Sequence, residues 1–353
     1  MKTIRRVALC ALCVTVFVAC KGGSGEVTSD KEAELSKVMV PYVHNTVLAT
    51  YGGMAAEGQT LLKECEEILN QVEKGGDYSS LLKDAQGSWR SMRKYWEQSE
   101  AFLFGPADQY SIDPRVDSWP LDFNAMNGLL NDPTRMAEIE AHRGTAVGKL
   151  DYALKGFHAA EYLLFTKTEL SHAEAVFLVA LVDDLADQSA LLVTLWETYG
   201  QYMIEAGSAG SVFVSFQAAA EEIIAGCADI AGEVADLKLG NPYLSSNDEE
   251  REYIESPYSR TSTIDFEDNI LSIRHSYAGA KEGDASISDF VKKQDAELDS
   301  KVRGAIEASI AAIRKIENFE EKAQANPQVK AAIDEVSALE EILSDEVLPL
   351  LSK

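Results

Sequence analysis

Basic residues are scarce in this chain. Lys and Arg number 32 against 58 Asp and Glu, giving a net charge of −26 over 353 residues. Nucleic acid is excluded as a partner, because phosphate contacts need clustered Lys and Arg. Cysteine is also sparse, at five residues, and three of these (Cys10, Cys13 and Cys20) sit at the N-terminus. Cys65 and Cys227 remain, which excludes a disulfide framework and reads best as two buried single thiols. Nine prolines leave few interruptions for helices. Five histidines leave little room for a histidine-rich metal site. No run of alternating apolar residues marks a strand. The most apolar stretch, Val7 to Ala19, is too short to span a bilayer, which takes about 20 residues.

That stretch has the form of an export signal. Lys2, Arg5 and Arg6 precede it, and Phe17-Val18-Ala19-Cys20 closes it ahead of Lys21-Gly22-Gly23-Ser24-Gly25. A small residue, then Cys, then a flexible linker resembles a bacterial lipobox. The resemblance implies cleavage before Cys20, lipidation of its thiol and anchoring to a membrane leaflet without spanning it. Lys21 replaces the Asp that often retains lipoproteins at the inner membrane. An outer-membrane lipoprotein, facing the periplasm or the surface, is therefore expected. Loss of residues 1–19 removes three positive charges and no negative one, taking the net charge to −29.

The remainder reads as all-α. Apolar residues recur at three- and four-residue spacing nearly throughout, and two tandem helical bundles are the simplest arrangement. The expected organisation is a signal over 1–19, a flexible tether over 20–30, a first bundle over 31–206 and a second over 207–353. The boundary falls at Gly207-Ser208-Ala209-Gly210. Asp30 and Asn326-Pro327 read as helix starts. Two stretches break the pattern and read as loops: Gly105 to Pro120, and Leu239 to Ser262.

Chemistry concentrates in a few places. Gly156-Phe157-His158-Ala159-Ala160-Glu161 puts an imidazole and a carboxylate on one helix face, able to share a metal ion or a proton. The spacing alone is weak, because five His and 58 acidic residues supply about one such pair by chance. Glu97 and Glu100 also share a face, on the aromatic segment Trp89 to Phe102. Asp117-Ser118-Trp119-Pro120-Leu121-Asp122 is a charged, aromatic loop able to fold back on them. Arg93 and Arg115 could instead neutralise these acids in a salt-bridge network. His44 and His142 have no partner signal, His172 lies at a helix start, and His275 reads as packing.

Taken in order, these blocks resemble the imelysin family, which carries a Gly-x-His-x-x-Glu signature and a Trp-Pro-Leu-Asp loop. Ser256-Pro257-Tyr258-Ser259, Asp265 to Gly279 and Ser286 to Asp299 continue the match, which runs from about Lys31 to Phe319. The resemblance implies an exported all-helical protein of two bundle-like halves. Members are linked to iron acquisition, and the founding member was described as a metal-dependent peptidase. It also implies a metal-ligand set of His158, Glu161, Glu97, Glu100 and Asp117, with Trp119 walling the site. Iron is favoured and zinc is compatible, either as an ion or as an iron-bearing ligand, with iron-uptake proteins as further partners. In a peptidase, Glu161 would be the general base; in a further alternative the motif is only structural and the protein is a non-catalytic module that binds another surface component. The standard His-Glu-x-x-His helix is absent, however, and Tyr162 stands where the inverted motif needs its second histidine.

Overall fold

A computed structural model describes residues 25–245 and 254–353, with only the backbone described for 25–29. The stretch expected as an export signal, and Cys20, lie outside the described residues. The described chain is helical throughout and contains no β-strand. None of its helices is long and apolar enough to cross a membrane.

The first half runs through α1 (Gly25–Pro41), α2 (Leu48–Lys74), α3 (Ser79–Glu97), α4 (Pro106–Gln109), α5 (Asp113–Val116), α6 (Phe123–Leu130), α7 (Pro133–Val147), α8 (Gly156–Thr166) and α9 (His172–Ile204). Then follow α10 (Phe216–Glu233), α11 (Gly240–Leu244), α12 (Ser262–Ala278), α13 (Ile287–Gln294), α14 (Ala296–Ile313), α15 (Phe319–Lys322), α16 (Pro327–Ile342) and α17 (Leu348–Ser352). α2 packs on α3 and α9, while α7 and α8 also pack on α9. In the second half, α10 packs on α12 and α16, and α14 packs on α12, α13 and α16. One continuous apolar core runs through both halves.

The helix starts have local causes. Asn326 caps α16 by accepting from the Gln328 amide, and Pro327 occupies the first turn. Ser171 and Glu174 form a reciprocal capping box at the start of α9. Asp30, read as a start signal, instead lies inside α1, which begins at Gly25 within the stretch expected as tether. No proline occurs between Gly25 and Pro41 to stop that helix. The stretch 105–120 is also more ordered than a loop. Pro106 and Pro114 sit in the first turns of α4 and α5, where a missing amide hydrogen costs nothing.

Three π-helical segments join helices end to end: Tyr42–Val47, Val234–Leu239 and Leu343–Val347. Each lies close to a proline: Pro41, Pro242 or Pro349. The rings of Pro242 and Pro349 crowd the carbonyl four residues before them, which lies inside the segment, and a locally wider turn relieves that crowding without ending the helix; Pro41 instead lies just before its segment.

The halves meet along several elements. The 3₁₀ turn Glu100–Phe102 packs against both α10 and α12, and α3 packs on α12. α1, although first in the chain, packs on α10 and α13 as well as α9. Cys65 and Cys227 are buried and unpaired.

Candidate metal centre

α3 supplies one wall of a buried polar centre. Leu82, Ala85, Trp89, Met92 and Trp96 recur at three- and four-residue steps and are all buried, so the helix docks along that stripe. Arg93 and Glu97 flank the stripe and are carried inward with it, at 1% and 0% exposure. Trp96 also reaches across, donating its indole N–H to Asp117 Oδ2 at 2.7 Å.

Glycine 156 brings the second wall close. Its φ of 82° lies in the left-handed region, and a Cβ there would meet the Val116 carbonyl oxygen at 2.3 Å. The first turn of α8 can therefore pack directly on the residue preceding Asp117. This contact places His158 Nε2 3.1 Å from Asp117 Oδ1. His158 Nδ1 lies 3.5 Å from Glu161 Oε2, so the imidazole sits between two carboxylates. Trp119 covers it, with ring centroids 4.7 Å apart.

The second half completes the enclosure. Glu161 Oε1 accepts from the Tyr258 amide (3.1 Å), the Ser259 amide (2.8 Å) and the Ser259 hydroxyl (2.7 Å). Ser259 Oγ lies 2.9 Å from Thr261 Oγ1, and Asp265 accepts from Ser256 Oγ at 2.5 Å. Asn269 on α12 donates to Glu97 Oε2 at 2.6 Å. Glu255 and Lys238 enter from the same half.

Arg93 sits at the middle of the charges. Its guanidinium pairs with Asp117, with Glu97 at 2.6 Å and with Glu255 at 2.7 Å. Lys238 lies near Glu97, Glu100 and Glu255. Arg115, the other candidate neutraliser, turns away and pairs with Asp184.

The titrations follow from burial and these pairings. Burial disfavours a charged His158, but its close contacts with the Asp117 and Glu161 carboxylates outweigh it and raise the imidazole to about 9. Burial also opposes the Asp117 carboxylate, yet Arg93 and His158 hold it well below the usual range. Glu97 is pushed up by burial, against the pull of Arg93 and Lys238. Burial drives Glu100 and Asp265 well above ordinary values.

The sequence-predicted residues thus converge on one region but not on one coordination sphere. At this centre two sets bring donor atoms within 4.8 Å of one another: Asp117 with His158 and Glu255, and Glu97 with Glu100 and Asp117; a third such group, Glu73, Glu140 and His172, is exposed and lies elsewhere. Asp117 belongs to both. Glu161 belongs to neither; it faces the 258–259 loop and the far nitrogen of His158. Glu255 and Lys238 had no local signal, and Asp265, though in a block that matches the family, had no role assigned; they lie at long sequence separation and only the tertiary fold brings them in. Tyr162 points elsewhere, into a ring cluster with Phe123 and Tyr258 at 5.1 and 5.4 Å.

A metal fits these residues on two counts. His158 Nε2 and Glu97 Oε1 are buried and lack any properly directed hydrogen bond, their neighbours being ion-pair contacts only. The donor set, carboxylate oxygens with one imidazole nitrogen, suits iron, manganese or zinc better than a thiolate-loving ion.

Two cavities border the centre. One, of about 450 Å³, is lined by Trp119, Phe123, Ile254, Pro257 and Tyr258, with Arg260 and Glu321 at its charged side. The other, of about 620 Å³, lies beyond Glu100 between the α4–α5 segment and α10.

Comparison with known proteins agrees with this architecture. The imelysin family model matches residues 47–345. The chain is 29% identical to iron-regulated protein A of Synechococcus elongatus, an alignment covering 99% of this chain and 94% of that protein. A crystal structure of an iron-regulated protein A precursor from Parabacteroides distasonis superposes with a TM-score of 0.80 at 24% identity, covering 91% of this chain and 96% of that one. An imelysin-like protein from Psychrobacter arcticum superposes with a TM-score of 0.73 at 11% identity and the same coverage. The two structures share the helical fold, and the family model spans most of the chain; the protein belongs to the imelysin family.

Proposed function

We propose that the protein binds a metal ion, iron in the first instance, at the centre formed by Asp117, His158, Glu255, Glu97 and Glu100, and serves iron acquisition as an exported lipoprotein anchored through Cys20. Charge imbalance carries this reading. Glu97, Glu100, Asp117, Glu161, Glu255 and Asp265 meet there, whereas among the described residues only Arg93, Lys238 and His158 bring positive charge to them. Burial pushes Glu97, Glu100 and Asp265 toward their neutral forms, and a metal ion would supply the counter-charge that lets them ionise. The names of the Synechococcus and Parabacteroides relatives, both iron-regulated protein A, support iron among the metals the donors suit.

The chain's own residues divide the work. Asp117 serves both donor sets. His158 offers Nε2, because its Nδ1 faces Glu161, which the 258–259 loop orients through three hydrogen bonds. The imidazolium must lose its proton before that nitrogen can ligate, so uptake releases a proton. Glu161 has one oxygen saturated by donors, which suits an orienting role better than that of a general base.

Metal content and affinity of the intact protein and of an Asp117→Asn/His158→Ala variant test this. The variant should lose roughly 10–100-fold or more in affinity. An intact protein that takes up none of iron, manganese, zinc or calcium would sink the proposal. Peptide cleavage by the metal-loaded protein, abolished by Glu161→Gln, would replace it with a metallopeptidase.

A further inference from the structure

Lys238 is held quite differently from Arg93. Its ammonium nitrogen lies 3.5 Å from Glu97 Oε2, 3.8 Å from Glu100 Oε1 and 3.8 Å from Glu255 Oε1. Hydrogen bonds from nitrogen to oxygen fall between about 2.7 and 3.2 Å. The ammonium can donate three times, yet among the described residues it donates to none, although the residue is only 7% exposed. Three carboxylates from three separate elements therefore enclose a cation in a cage larger than that cation needs.

Glu100 is its counterpart. It is also 7% exposed, and its carboxylate accepts no hydrogen bond from any described residue. It lines the 620 Å³ cavity, together with Asp108, Asp113, Glu222, Asp229 and Glu233, and no Lys, Arg or His among the described residues lines that cavity. Lys238 rises from the π-helical segment Val234–Leu239, which begins immediately after Glu233. Irregular helical turns of this kind recur where function needs an altered register. An ammonium leaving the cage has an acidic cavity beside it.

We propose that Lys238 is a resident counter-cation that a divalent metal ion displaces, its ammonium moving from the Glu97–Glu100–Glu255 cage toward the acidic cavity. The inference rests on the metal-binding reading above and deepens it: the empty protein carries its own substitute for the metal's charge. Lys238 thereby competes with the metal and sets a ceiling on affinity, while keeping the carboxylates neutralised when no metal is bound. Its long, flexible stem suits exchange, in contrast to the planar fork of Arg93, which is locked against three acids.

The test compares full-length wild type, Lys238→Met and Lys238→Arg by titration with Mn²⁺, following free Mn²⁺ by electron paramagnetic resonance and unfolding by thermal melts. Lys238→Met should bind Mn²⁺ about tenfold or more tightly, a gain of about 1.4 kcal/mol. It should melt lower than wild type without metal and show the larger metal-induced rise. Lys238→Arg should stay at or below wild-type affinity. Equal or weaker binding by Lys238→Met overturns the inference while leaving the metal site intact. Should Lys238→Met lack a helical circular dichroism spectrum, Lys238→Gln carries the same expectation. If wild type and every variant fail to bind Mn²⁺, iron(II), zinc and calcium alike, the metal reading itself is what fails, and this inference with it.

Discussion

The polar centre has a tight end and a loose end. At the tight end, Arg93, Asp117, His158 and Glu161 are held by short contacts: Trp96 to Asp117 at 2.7 Å, and Ser259 to Glu161 at 2.7 and 2.8 Å. At the loose end, Lys238, Glu97 and Glu100 stand 3.5 and 3.8 Å apart. Both ends are buried, so solvent does not explain the difference. What differs is the number of fixed donors aimed at each carboxylate. The tight end receives backbone amides, an indole and a guanidinium, all set by the fold. Glu97 bridges the two ends, held by Arg93 and Asn269 at 2.6 Å each, whereas Glu100 at the loose end relies on one flexible lysine. A centre built this way keeps its geometry at one end and its exchangeable charge at the other.

The strongest way to break that contrast is to remove Arg93. Arg93→Met leaves Asp117, Glu97 and Glu255 without their shared cation, and an uncompensated buried charge costs roughly 3–5 kcal/mol. Urea unfolding should show that loss, and it should shrink at low pH as the acids protonate.

Next in size is the pH dependence of the tight end. His158 has a folded-state value raised to about 9, above its unfolded value of 6.5. Its contribution to stability is therefore fully present below about pH 6.5 and is lost as pH rises through about 9. The loss is on the order of 3 kcal/mol. Denaturation measured across that window should show it for wild type and not for His158→Gln. Metal affinity should move in the opposite direction, rising with pH as the competing proton leaves.

The smallest of the three effects sharpens the contrast by displacing the tight end without touching a charge. Gly156→Ala adds a Cβ 2.3 Å from the Val116 oxygen and forces a side chain onto a left-handed backbone. A cost of roughly 2 kcal/mol follows. The His158 titration, read by NMR, should fall from about 9 because the imidazole moves away from Asp117.

The helices were legible because their causes are local. The stripe Leu82, Ala85, Trp89, Met92 and Trp96 announces which face of α3 is buried, and Asn326-Pro327 announces where α16 begins. The stretch 105–120 misled as a loop because proline marks a helix start as readily as an interruption, and only the surroundings choose. The π-helical segments were missed since apolar periodicity continues through them. At the centre, the spacing of His158 and Glu161 was visible, but their division of labour was not. Three donors from residues 258–259, about a hundred positions away, turn Glu161 toward the loop. Arg93 announced itself as a neutraliser, whereas Arg115, its equal by sequence, went to Asp184 on α9.

What the sequence determined by itself is the all-helical class and the membership of one family, because periodicity, caps and ordered motifs are properties of neighbouring residues. What only tertiary structure decided is which side chains meet. Glu255 and Lys238 enter a site whose motif lies in the other half of the chain, since packing of the Glu100 turn between α10 and α12 brings the halves together there. Burial then converts ordinary acids and bases into a strained set of charges, because removing water raises the cost of every charge left without a partner.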